Sequence, residues 1–278
     1  VSDAGWIEHP RVLKLRRRSV VLDVIARVAD GYSRHRTGRN AALLAYYGFL
    51  SVFPLVLSLT AVLGFVLQDN PDLQDRILDS TLSQIPIIGQ TISTNPENLR
   101  GSTGVLVVGL LLSIWSGMRA FTALQVGLDD VYELDRRQRA NFAKTRLQAL
   151  GGILVLGGAQ VLTAITNAVS ASAALPRLQD VLLLLGTAAI NAGILVYSYR
   201  YICSTTPPMR EVAPGAILGG IAFSLLQYFG STVVARSLAN ASPVYGSFAS
   251  VIALTFWISL HATIALGAAE LNRVLRRP

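Results

Sequence analysis

The amino-acid sequence predicts an all-α membrane protein with six transmembrane helices, and three observations carry that reading. Apolar residues make up 52% of the 278-residue chain and charged residues only 14%, against about 25% charged in a soluble domain. The apolar residues fall in blocks of about 20 or more, the length that crosses a hydrocarbon core of about 30 Å. The segments between the blocks alternate in basic content, as the loops of a polytopic chain do.

Six spans follow, at about 41–67, 104–126, 147–169, 181–202, 214–235 and 247–270. Lysine and arginine number nine in residues 1–40, five in 127–146, two in Arg200 with 203–213, and three in 271–278. The alternate segments, 68–103, 170–180 and 236–246, hold two, one and one. The excess of positive charge on the cytoplasmic side then places both termini and the two basic loops there. An odd span count would carry Arg273, Arg276 and Arg277 to the wrong side. With no repeat or linker in view, residues 1–40 read as a basic cytoplasmic or interfacial segment and 41–278 as one transmembrane domain.

In the N-terminal segment Val21, Val24, Ile25 and Val28 have the i, i+3, i+4, i+7 spacing of an apolar helix face, while Asp23/Arg27 and Asp30/Arg34 are spaced as i,i+4 ion pairs. With RVLKLRRR just before it, this amphipathic helix is expected along anionic headgroups or docked on the cytoplasmic ends of the bundle. The loop from Gln68 to Thr103 carries Asp69, Asp72, Asp75, Asp79 and Glu97 around apolar residues at helical spacing, which predicts short extracytoplasmic helical structure.

Several chemistries have no residues to support them. The single Cys203 leaves no internal disulfide, and His9, His35 and His261 share no metal-ligand spacing. No GxxxxGK[ST] loop is present, so neither a nucleotide nor another cofactor is expected. The net charge of +8 is explained by topology and anionic lipid rather than nucleic acid. The polar, basic first 40 residues lack the apolar core of a signal peptide.

Polar residues inside spans are candidates for function. Arg119, in LLSIWSGMRAFTALQ, shares a helix face with Ala123, Val126 and Asp130, above Asp129 and Glu133. It is expected to point inward and down, toward those carboxylates or an aqueous cytoplasmic vestibule, either as a fixed ion pair to a neighbouring helix or as an anion or headgroup contact in a cavity. Span 1 sets Asn40, Tyr47, Ser51, Pro54 and Ser58 on one face, and Pro54 lacks the N–H that would bond Leu50. That suits a cavity wall or ordinary helix packing. In span 6, His261 and Glu270 lie half a turn out of phase and cannot relay a proton along one face; Glu270, near Asn272, is placed to cap or to pair with basic residues. Gly215 and Gly219 form a GxxxG, a close-packing signal within the chain or between copies.

Four stretches together, AYYGFLSVFPLVL, SIWSGMRAFTALQVGLDDVYELDRRQ, PGAILGGIAFSLLQYFGSTVV and SPVYGSFASVIALTFWISLHATIALGAAELNRV, resemble the YihY/BrkB family of bacterial inner-membrane proteins, in its YhjD-like branch. The similarity runs over about residues 20–275. It touches Tyr47, Phe53, Pro54, Trp115, Ser116, Arg119, Pro214, Gly215, Tyr245, Gly246, Ala268, Glu270, Leu271 and Asn272. It implies a six-helix, multi-pass protein of the bacterial inner membrane. The family's old label, ribonuclease BN, finds no support in the residues, since metal-dependent RNA cleavage wants a clustered His/Asp set.

The expected function is movement of an anionic lipid, a lipid-linked glycan or another amphiphile, with Arg119, Tyr47, Ser51, Pro54, Trp115, Asp130, Glu270 and Asn272 as candidate substrate contacts. The alternative is a non-transporting scaffold of envelope assembly, in which those residues serve packing. No catalytic pairing of nucleophile and base is in view, so an enzyme is not expected. The expected partners are membrane lipids and, through small-residue faces, a second copy of the chain.

Overall fold

The computed structural model describes residue 7 and residues 9–66, 103–135, 137–171, 176–239 and 246–276. Among these residues the regular structure is entirely helical, without a strand: α1 (Pro10–Arg16), α2 (Val20–Arg34), α3 (Thr37–Val66), α4 (Thr103–Val131), α5 (Phe142–Ala171), α6 (Pro176–Tyr197), α7 (Met209–Ala239) and α8 (Gly246–Arg276). The six long apolar blocks of the sequence coincide, over the described residues, with the helices from α3 to α8, the fourth block running on into the turn after α6. Three helical segments are long and apolar enough among the described residues to cross a membrane: Val107–Val131, Met209–Gln227 and Val251–Arg276. The expected helical structure in the acidic segment from Gln68 to Thr103 lies outside the described residues, save Thr103 at the start of α4.

Chain packing divides the molecule into two compact units, Val1–Leu44 with Phe121–Ser231 and Ser259–Pro278, and Ala45–Ala120 with Thr232–Ile258. In the first, the core is built from small and aliphatic residues, among them Ala41, Leu128, Leu195, Val212, Ala265 and Leu266, around the fully buried Tyr199. Tyr199 donates its hydroxyl to the Ala265 carbonyl at 2.6 Å, meeting the requirement that a buried polar tip find a partner. The GxxxG of α7 packs within the chain: a Cβ on Gly215 would strike the Ala268 carbonyl and Asn272, and one on Gly219 would meet Leu195 and Ala268. The adjacent Gly220 turns to α6, where a Cβ would lie 2.7 Å from the Ala192 nitrogen. Between α6 and α7, Asn191 donates to Ser224 and Gln227 at 3.0 and 3.2 Å, a polar tie in an apolar seam.

Helix α6 ends in a π-helical turn, Ser198–Ile202. A widened turn leaves carbonyls without ordinary helical donors, and two glutamines serve them. Gln125 of α4 donates to the Ile202 carbonyl and to Gln148 at 2.8 Å each, and Gln148 of α5 donates to the Tyr201 carbonyl at 2.5 Å. Gln125→Leu strands the buried Ile202 carbonyl and is expected to lower stability by about 1–3 kcal/mol, read as an earlier midpoint in detergent unfolding; an unchanged midpoint would show that the turn is held by other means.

In the second unit, α3 carries an edge-on contact between Tyr46 and Tyr47, with ring centroids 5.2 Å apart, and Gly48 leaves room for Ile258. The face of α4 from Val107 to Trp115 is largely exposed and aliphatic, with Leu111 at 62%. A helix that shows apolar side chains outward is one that meets lipid rather than water.

Candidate functional site

One end of the first unit gathers charge that the sequence scatters over four segments. The chain leaves α2 through His35 and turns sharply at Arg36, whose φ of 53° is unusual for a residue with a side chain. That turn sets His35 and Thr37, two residues apart, onto the same carboxylate. Glu270 of α8 is fully buried; its Oε1 lies 2.8 Å from His35 Nδ1 and accepts the Thr37 hydroxyl at 2.8 Å.

The other imidazole nitrogen, Nε2, lies 3.1 Å from Glu133 Oε1. Glu133 follows the end of α4 and also has a φ of 53°. The Leu134 N–H reaches the Asp129 carbonyl at 2.9 Å and the Glu133 N–H reaches Asp130 at 3.1 Å, a Schellman ending whose left-handed position is held by glutamate instead of glycine. Arg273 and Arg34 close on the Glu133 carboxylate, Arg34 at 3.3 Å. Two left-handed residues that carry side chains thus flank one polar cluster, and such backbone strain, on the order of 1–3 kcal/mol per residue, collects at functional sites.

Burial pushes the Glu133 carboxyl up, but hydrogen bonds from His35 and Arg273 and the charges of Arg273 and Arg34 outweigh burial and hold the group down at about 2. A depressed carboxylate contributes stability that is complete above its ordinary value of 4.5 and is lost as pH falls through about 2. Glu133 therefore stays ionised at any physiological pH.

The aspartates beside Glu133 are committed elsewhere. Asp129, 2% exposed, accepts the Ser204 N–H at 3.0 Å and the Ser204 hydroxyl at 2.6 Å, pinning the loop after the π turn. Asp130 accepts Asn40 at 2.9 Å and Arg139 at 2.7 Å. Arg119, expected to face these carboxylates or an aqueous vestibule, is exposed, its guanidinium 5.1 Å from the centre of the Trp115 ring. Of the expected pairs on α2, Asp23/Arg27 forms at 2.9 Å, whereas Arg34 reaches Glu133 rather than serving α2 alone.

The remaining candidates take separate partners. Asn272 accepts the Gly215 N–H through Oδ1 at 2.6 Å, joining α8 to α7. Ser51 turns its hydroxyl back to the Gly48 carbonyl at 2.6 Å, Pro54 lies inside α3, and Tyr47 packs on Tyr46. His261 stacks near Phe223, centroids 4.9 Å apart. Of the eight expected contact residues, the structure brings together Arg119 and Trp115. His35, Thr37, Glu133 and Arg273 were missed as members of a site; the signal available was a glutamate at the inner end of the last span facing a basic N-terminal corner.

These features define a helical membrane protein with a buried charged cluster at one end. The chain belongs to the family described as virulence factor BrkB, whose model matches residues 28–278. It is 27% identical to the Dickeya dadantii protein Dda3937_02003, over 94% of this chain and 84% of that one. It is 24% identical to the Escherichia coli inner membrane protein YhjD, over 91% and 80% of the two chains. To the Bacillus subtilis putative ribonuclease-like protein YfkH the identity is 23%, over 88% and 92%. No solved structure matches the chain.

Proposed function

We propose that the chain is a multi-pass translocator of the bacterial inner membrane that moves an anionic amphiphile, a phospholipid or a lipid-linked glycan, across the bilayer. The observation that carries this reading is Arg119. It is an exposed guanidinium on a helix apolar enough to span, set on Trp115 amid exposed Val108, Leu111 and Leu112. A cation facing hydrocarbon is stabilised by an anion brought to it, and a guanidinium stacked on indole still offers its N–H fork to a phosphate. On this reading the six long helices each cross once, and the distribution of arginine along the sequence favours a cytoplasmic His35 end. There Val21 and Ile25 of α2, 65% and 57% exposed, lie beside the basic segment 11–18 and suit an anionic headgroup layer.

Movement requires no catalysis by the chain. The ribonuclease in the name of the Bacillus relative belongs to a protein 23% identical to this chain, and it does not enter this reading. A scaffold role is the second reading, favoured by the complete pairing of Asp129 and Asp130.

The test is the transbilayer movement of fluorescent anionic phospholipids in proteoliposomes. Arg119→Ala is expected to slow it at least about tenfold, the loss of one charge-assisted contact of about 1.5–3 kcal/mol, and Arg119→Lys to retain part of the rate because it keeps charge but loses the fork. An Arg119→Ala protein as fast as the parent would remove Arg119 from the path. A folded parent that moves no lipid above empty vesicles would favour the scaffold.

A further inference from the structure

The proton count of the buried cluster does not close without a labile proton. Glu133 is ionised, so His35 Nε2 must present its N–H to it, 3.1 Å away. The imidazole then turns Nδ1 toward Glu270 Oε1 at 2.8 Å. If Nδ1 carries no proton and Glu270 is ionised, a lone pair faces a buried negative charge. Glu270 Oε2 deepens the problem, because it is buried with no hydrogen-bond partner and lies against Gly31, where even an added Cβ would come within 2.6 Å. Without the Nδ1 proton, the Glu270 carboxyl would have the Thr37 hydroxyl as its donor among the described residues, whereas a buried carboxylate ordinarily gathers more than one.

We propose that His35 and Glu270 form a proton-binding site, one proton lying between Nδ1 and Oε1, whose occupancy keeps the corner between α2 and α3 closed on α8 and the end of α4. The proton sits either on nitrogen, as imidazolium between two carboxylates, or on Glu270 as the neutral acid. Both arrangements keep the 2.8 Å hydrogen bond. When it leaves to water, the bond becomes a repulsion, and the least costly relief is for the corner to lift at Arg36, where a left-handed residue already stores strain. Water then solvates Glu270.

The charges facing the pair come from every side. Arg34 lies on α2, Glu133 at the end of α4, and Arg273 on α8, while Glu211 of α7 pairs with Arg276 at 2.9 Å beyond them. None of these substitutes for the proton, since Arg34 and Arg273 are both directed to Glu133. The proton site stands apart from the transport reading. Its role as coupling ion, with proton uptake and release closing and opening the cytoplasmic end in each cycle, rests on that reading.

The experiment uses the full chain in lipid nanodiscs. Ring-nitrogen NMR reports on three histidines only, His9, His35 and His261, and His35 is identified by its loss in His35→Gln. Its signals are expected to move as pH is raised through the range in which the protein stays folded, as gain or loss of a ring proton requires. Over the same range hydrogen-exchange protection of residues 31–41, referred to intrinsic rates, is expected to fall by up to about tenfold per pH unit, as one released proton requires. Glu270→Gln keeps the shape but takes no proton, so the pH response of the corner disappears; His35→Gln is the second variant with the same expected loss. Exchange in the parent that ignores pH, or a response that survives in either variant, overturns the proton site. In the lipid assay, an imposed proton gradient is expected to change the parent's rate and not that of Glu270→Gln. Lipid movement indifferent to the gradient overturns the coupling role, whereas no lipid movement at all fails the transport reading and leaves NMR and exchange to decide the site.

Discussion

Glu270→Ala is expected to lower the stability of the folded chain by about 3–5 kcal/mol, the loss that follows when one member of a buried charged network is removed and the others stay. The substitution strips His35 Nδ1 and the Thr37 hydroxyl of their shared hydrogen-bond partner, and it leaves a void beside Gly31. Glu270→Gln retains an oxygen for the Thr37 hydroxyl and an amide N–H for an unprotonated Nδ1, and is expected to lose less than half as much. The same geometry makes a double-mutant cycle informative. Gly31→Ala places a methyl against Oε2 in the parent but leaves it only an ordinary contact with His35 Cε1, at 3.6 Å, when Glu270 is alanine, so its effect is expected to be destabilising in the first background and near zero in the second. Unfolding midpoints in mild detergent near neutral pH measure all four proteins. Additive losses, or a Glu270→Ala protein within about 1 kcal/mol of the parent, would mean that the corner is held by apolar packing and that Glu270 is incidental to it.

What the sequence disclosed and what it withheld divide along the range of the forces involved. Apolar run length and arginine alternation are local, and they located all six long helices from α3 to α8 within a few residues. The Gly215/Gly219 spacing was legible as close contact, but its partners, Ala268 and Asn272, are set by tertiary packing. Glu270 was visible as a polar residue at the end of a span; its ligand His35 lies 235 positions away and was read as one of three scattered histidines. Nothing in the letters around Arg36 or Glu133 announces a left-handed backbone, because glycine or asparagine would be the usual signal there. The partners of Asp130 were hidden for a related reason: Arg119 shares its helical face, yet Asn40 and Arg139 from other segments hold that carboxylate. Periodicity along one helix cannot show which donors arrive from its neighbours.

Gly215→Ala is the smallest substitution with a large expected effect, because two terms of opposite sign compete at that position. Helix propensity favours alanine over glycine by about 1 kcal/mol in an interior turn. Against it, the new methyl meets the Ala268 carbonyl and the Asn272 side chain, and the hydrogen bond from the Gly215 N–H to Asn272 Oδ1 must lengthen as the helices part. A flexible side chain tip would give way at little expense, but the Ala268 carbonyl is backbone in the middle of α8 and moves only if the helix moves. Overpacking of that kind costs about 1–3 kcal/mol, and the strained hydrogen bond adds about 1 kcal/mol more, so destabilisation wins. Gly158 supplies the control within the same chain: it lies in helix α5 with nothing within 4 Å of an added Cβ, and Gly158→Ala should leave the midpoint unchanged or raise it through propensity alone. Parallel unfolding curves in detergent separate the two. If Gly215→Ala unfolds like Gly158→Ala, α7 and α8 have room between them, and the seam that carries Asn272 beside the Glu270 cluster is looser than a fixed wall for the proton-gated corner would require.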